Sequence, residues 1–173
     1  MGITFNNILI LLLALGVTAY GLNASRADDD VASFPPVDHK LTHDECSACH
    51  MVYPAGLLPA RSWSRMMREL DNHFGDDASL APQQAAEIKR YLVDNAADGR
   101  MANTRMRRIA AGIQPNDAPL RFTETAYFHY VHDEVPNSMW KRSKIASKAN
   151  CIACHTRAET GSFSEKEIRI PKE

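Results

Sequence analysis

Hydrophobic and polar positions fall into distinct blocks along this 173-residue chain. Residues 8–22 are almost wholly apolar, the size of a signal-peptide core and short for a membrane-spanning helix. Ser25 and Ala27 then offer a small-x-small cleavage site ahead of Asp28, Asp29 and Asp30, so residues 1–27 read as a leader. Residues 1–7 carry no Lys or Arg, which leaves an uncleaved anchor as the alternative; either way the body of the protein is exported. Past an extended Phe-Pro-Pro-Val at 34–37, Tyr53-Pro54-Ala55-Gly56 marks a turn. Trp63, Met66, Met67, Leu70 and Phe74 recur at helical spacing and predict a helix from Ala60 to Phe74, closed by Gly75, with His73 at the edge of its apolar stripe. A second helix is predicted from Pro82 to Asn95, with Ala85, Ile88, Leu92 and Ala96 on its apolar face and Asp98-Gly99 as its stop.

Residues 100–118 read as a linker, broken by Gly112 and Pro115 and rich in Arg, with room for a short helix within 103–111. A third helix is predicted from Glu124 to Val135, stopped by Pro136. Ser138 can cap a short segment through Trp140, and Ser164-x-x-Glu167 has capping-box spacing. No stretch alternates as a strand would. The expected fold is all-α with extensive loop.

Loss of residues 1–27 leaves 146, enough for one ordinary domain or two very small ones, and very small domains need a covalent or metal staple. The charge is uneven. Residues 28–99 hold 6 Lys/Arg against 13 Asp/Glu, and residues 100–173 hold 13 against 8. No concentrated basic domain is present, which argues against nucleic acid as a partner. A net −7 half beside a net +5 half makes a dipole that can orient the molecule on a charged protein.

All four cysteines fall into two Cys-x-x-Cys-His units, Cys46/Cys49/His50 and Cys151/Cys154/His155. Two thiols a helical turn apart can add across the vinyl groups of one haem, and the adjacent histidine then binds the iron from below. A zinc ribbon would set its cysteine pairs much closer together, and neither zinc, a thioredoxin-like site nor plain disulfides explains a histidine after each pair. The motifs therefore predict two covalently bound c-type haems.

Each iron needs a sixth ligand. With His50 and His155 proximal, the remaining histidines are His39, His43, His73, His129 and His132, and Met66 and Met67 read as packing residues. His73 is the choice for the first haem, as the histidine that ends a helix with an apolar face. For the second, Phe128, Val131 and Val135 mark an apolar stripe that includes His132, whereas His129 shares a face with Thr125 and Asp133. Phase favours His132, with His129 as the alternative. His73 follows its attachment motif while His132 precedes its own, so the halves are not a tandem repeat.

The chain resembles the soluble dihaem cytochrome c family. The likeness lies in ECSACHMVYPAGLLPARSWSRMMRELDNHFGDDASL at residues 45–80, and in PLRFTETAYFHYVHDEVP with MWKRSKIASKANCIACH within residues 119–155. It implies two small unlike haem c domains, 28–99 and 119–173, the first similar to a class I cytochrome c. It further implies bis-histidine irons with His73 and His132 distal, a membrane b-type cytochrome as electron donor, and a small haem protein or reductase as acceptor in the periplasm. His129 is an addition to the family pattern. The function expected is electron carriage without catalysis. Its rivals are a haem enzyme with one open iron, of peroxidase, nitrite or oxygen type, and an electron-input subunit of a larger reductase.

Overall fold

The computed structural model describes residues 33–172, and the leader read over residues 1–27 lies outside them. Helices α1 (Lys40–Cys46), α2 (Ala60–Met66), α3 (Pro82–Asp94), α4 (Thr104–Ala111), α5 (Ala126–Val131) and α6 (Asn137–Trp140) are joined by loops and short 3₁₀ turns, and further 3₁₀ turns follow α6. Only isolated bridges, Ser33 with Ser162, His73 with Asp76 and His155 with Ile168, represent β pairing among the described residues. None of the described helices is long and apolar enough to cross a membrane.

α3 forms because Pro82 occupies its first turn, where a missing N–H costs nothing, and because Ile88 and Leu92 share one face. That face is buried with Ala55, Leu58, Trp63 and Ala96 in one of two core clusters. The Trp63 indole N–H, buried with its ring, donates to the Ala55 carbonyl at 2.7 Å. α4 is capped by Asn103, whose side-chain oxygen accepts from Met106 N–H, and lies within the stretch read as a linker. Its Met106 and Ile109 are fully buried and build the second cluster with Phe34, Leu57, Ala97 and Ile113. Arg61 and Arg65 on α2 tie the following loop down by donating to the carbonyls of Ile113, Gln114, Asp117 and Ala118. Tyr53 and Phe122 pack against both clusters.

Two helices are shorter than their hydrophobic stripes predict. α2 ends at Met66, where bonding tightens to the i−3 carbonyls of Arg65 and Met66. A 3₁₀ turn at Leu70–Asn72 follows, and Phe74 and Gly75 then take φ of 58° and 108°. Asp71, Asn72 and His73 are weak helix formers, and tertiary bonds replace the ladder: Ala78 N–H to Leu70 at 2.8 Å and His73 N–H to Asp76 at 2.7 Å. α5 starts at the Thr125 hydroxyl cap and stops at Val131. Beyond it the His132 carbonyl accepts from Val135 N–H at 3.1 Å, a tighter i−3 bond, and Pro136 has no N–H to offer that carbonyl, so the helix does not resume. Ser164 does precede a 3₁₀ turn, Glu165–Glu167, but without a side-chain cap: the Glu167 N–H donates to the Ser164 carbonyl at 3.0 Å, and its carboxylate is held by Ser162 and Arg157. Ser138 lies inside α6 and Pro136 takes the N-cap position.

Candidate functional site

The first cysteine motif begins at the last residue of α1, Cys46, and continues through a turn to His50. The second is wound as one helical turn, with Cys154 and His155 N–H both donating to the Cys151 carbonyl, at 3.2 and 2.8 Å. Both turns put their cysteines and histidine close along the chain, as attachment of one haem requires. None of the four cysteines is disulfide-bonded. Burial pushes the thiols of Cys46 and Cys154 up and that of Cys151 up to about 11.

His50 faces His73 with ring centroids 6.2 Å apart and planes inclined by 30°. The break in α2 makes this meeting possible: His73 sits on a loop rather than on the helix expected there, pinned by its pairing with Asp76. Beside it, the Arg121 guanidinium lies 3.8 Å above the centre of the Phe74 ring and pairs with Glu124 at 3.6 Å. Burial lowers the His73 pKa, with His50 and Arg121 adding to the effect and Asp76 opposing it. His50 Nδ1 lies 2.7 Å from the Met51 carbonyl, an acceptor only, so Nδ1 is the donor there and Nε2 is the nitrogen left for another partner.

His132 faces His155 at 6.0 Å, with the ring planes inclined by 83°. His132 is the residue that closes α5, and its Nδ1 lies 3.0 Å from the Phe128 carbonyl, again leaving Nε2 free. Its ring stacks on buried Phe128 at 4.2 Å, and Trp140 closes the same side. Phe163 lies 5.3 Å from His155. Burial lowers the pKa of both histidines. His129, one turn earlier, is exposed and only edges Phe128 at 5.9 Å. His43 is exposed, while His39 caps α1, pairs with Glu87 and stacks on Tyr91.

The two separations test the haem reading. Two imidazoles that bind one metal from opposite sides at about 2 Å each have ring centroids roughly 6 Å apart. Both pairs match, and burial lowers the pKa of His73, His132 and His155, which favours their neutral, ligating form. Each pair supplies only axial donors. Among the described residues no group of three or more His, Cys, Asp or Glu could hold a bare metal ion. A porphyrin provides the missing equatorial donors, and the paired cysteines beside each histidine provide its attachment. The residues present therefore fit haem at both places.

One residue of the site region has no local signature. The Tyr53 ring lies 5.0 Å from that of His50, and its hydroxyl donates to the Ala149 carbonyl at 2.8 Å. Burial raises its pKa to about 12, the nearby Cys151 adding and Arg121 opposing. In the sequence it reads as part of a turn, because its partner lies 96 residues away.

A family model described as dihaem cytochrome c matches residues 42–163. The chain is also similar to solved structures. It is 49% identical to the diheme cytochrome c from Rhodobacter sphaeroides, covering 75% of this chain and 99% of that one, with a TM-score of 0.66. It is 40% identical to a diheme cytochrome type c from Shewanella baltica OS155, covering 76% and 91% of the two chains, with a TM-score of 0.62. No curated protein matches.

Proposed function

Since the chain belongs to the dihaem cytochrome c family, we propose that it is a periplasmic electron carrier with two bis-histidine c-type haems. Family membership implies electron transfer and two covalently attached haems. In this reading Cys46 and Cys49 would hold the first haem, and His50 and His73 would bind its iron. Cys151 and Cys154 would hold the second, with His155 and His132 on its iron. Bound there, haem c supplies one-electron chemistry at iron.

The observation that carries the reading is the pairing of histidine rings at 6.2 and 6.0 Å. With a histidine nitrogen from each side, each iron would have no position left for substrate, and nitrogen in place of a methionine sulfur would lower its reduction potential. The chain's own part is then to hold the imidazoles in place. The Met51 and Phe128 carbonyls orient His50 and His132, and the apolar faces of Phe128, Trp140 and Phe163 exclude water from the second pair. Export through the leader, a membrane b-type cytochrome as donor, and a small haem protein or reductase as acceptor complete the proposal. The uneven charge of the two halves supports orientation on such protein partners.

The test is the optical spectrum of the purified protein, oxidised and reduced, with carbon monoxide added to the reduced form. Two low-spin c-type haems indifferent to carbon monoxide are expected. Carbon monoxide binding by either haem would reveal an open iron and overturn the bis-histidine carrier.

A further inference from the structure

Resting on the assignment of the two haem sites, we propose that Tyr53 is a positioning residue that couples them, by joining His50 of the first to the backbone at Cys151 of the second. Its ring contacts the His50 ring, and its hydroxyl donates to the Ala149 carbonyl. That same carbonyl accepts the Cys151 N–H at 2.9 Å. An unbroken line of contacts thus runs from a first-site imidazole to a second-site attachment cysteine, through one side chain and one peptide group.

Each link is held from elsewhere. Tyr53 is half-buried against both hydrophobic clusters, so its ring has little freedom to swing away. The loop it reaches is built from successive turns. Ile145, at 1% exposure, anchors it in the interior. Asn150 donates its side-chain amide to the Ile145 carbonyl at 3.0 Å, and the Ser147 hydroxyl accepts from Ala149 N–H at 3.1 Å. The Ala149 oxygen accepts from both Tyr53 and Cys151, so a shift of the loop away from Tyr53 breaks a bond at the same oxygen that holds the Cys151 N–H. No other side-chain hydrogen bond shown by the described residues joins residues 50–76 to residues 145–155. Tyr53 is neither oxidised nor reduced in this role. It fixes how the two haem-holding segments sit against each other, and so the spacing across which an electron leaving one iron reaches the other.

The experiment uses the holoprotein carrying Tyr53→Phe, which keeps the ring against His50 and removes only the hydroxyl. Amide hydrogen exchange over residues 147–151 should quicken about fivefold, the factor one net hydrogen bond is worth. Electron exchange between the two haems, read from line broadening in partly reduced samples, should slow, with both optical spectra unchanged. Tyr53→Leu, which also removes the ring contact, should slow it further. Unchanged exchange protection and unchanged electron exchange in Tyr53→Phe would overturn the proposal. So would faster amide exchange with electron exchange intact, since Tyr53 would then only anchor a loop. Carbon monoxide binding by the parent protein would instead count against the ligand assignment, which separates that failure from this one.

Discussion

Gly161→Ala should destabilise the protein and do so through the second histidine pair. Gly161 ends a 3₁₀ turn, Ala158–Thr160, with φ of 81°, a backbone conformation that costs a residue bearing a Cβ about 1–2 kcal/mol. A Cβ there would stand 2.0 Å from the Phe34 carbonyl oxygen, a backbone atom that no rotamer change can move. The chain must open at that point, and the Phe34 N–H to Gly161 bond of 2.7 Å is then lost, about 1 kcal/mol more. The sum, roughly 2–3 kcal/mol, corresponds to a fall of roughly 4–12 °C in melting temperature for a protein of this size. The damage should reach the haem: Phe34 packs edge-on against Phe163 at 5.3 Å, and Phe163 against His155 at the same distance. Thermal melts of the holoprotein by circular dichroism give the magnitude. Gly75→Ala is the control, because its φ of 108° is equally unsuited to a side chain but nothing lies within 4 Å of the added Cβ. It should show the backbone cost alone. If Gly161→Ala melts no lower than Gly75→Ala, the Phe34 contact is not what makes glycine necessary, and the reasoning fails.

His73→Ala and His132→Ala should each turn one haem high-spin and open it to carbon monoxide while both haems stay covalently attached, whereas His129→Ala should leave both low-spin; visible spectra of the three variants decide this. The two ferric irons should also differ in electron paramagnetic resonance. Ring planes 30° apart in the first pair favour a rhombic signal, and planes 83° apart in the second leave two iron orbitals nearly degenerate and favour a strongly anisotropic one. Finally, the Ser162 hydroxyl, with Arg157 beside it, holds the Glu167 pKa below a glutamate's ordinary 4.5. A depressed carboxylate contributes stability above pH 4.5 that is lost as pH falls through the folded-state value. Glu167→Gln should therefore flatten that acid limb in pH-dependent denaturation and leave neutral-pH spectra unchanged.

The parts of this protein legible in its sequence are those that depend on near neighbours along the chain. A Cys-x-x-Cys-His unit is five consecutive residues whose chemistry is the same wherever the chain goes, so the two haems could be read directly. α3 obeyed its periodicity because Pro82 starts it and one continuous apolar face, Ile88 and Leu92, meets the core. The absence of alternating stretches likewise anticipated a fold without strands among the described residues. Family resemblance was legible for the same reason, since its motifs are short and local.

Tertiary structure alone decided where helices break and which side chains meet. The stripe from Trp63 to Phe74 runs on at helical spacing, yet Trp63 is buried and Phe74 is 45% exposed, because bonds to Asp76 and Ala78 pull the chain out of the helix. That break brings His73 opposite His50, and the early end of α5 sets His132 opposite His155. Met106 and Ile109 lie in a segment whose arginines and breakers suggested a linker with room for a short helix, and packing buries both of them with Phe34, Leu57 and Ala97. Tyr53 and Ala149 are 96 residues apart, and no local pattern encodes a partner at that distance. Periodicity states which positions are apolar; it is packing, the competition among all faces for one interior, that selects which of them are buried and against what.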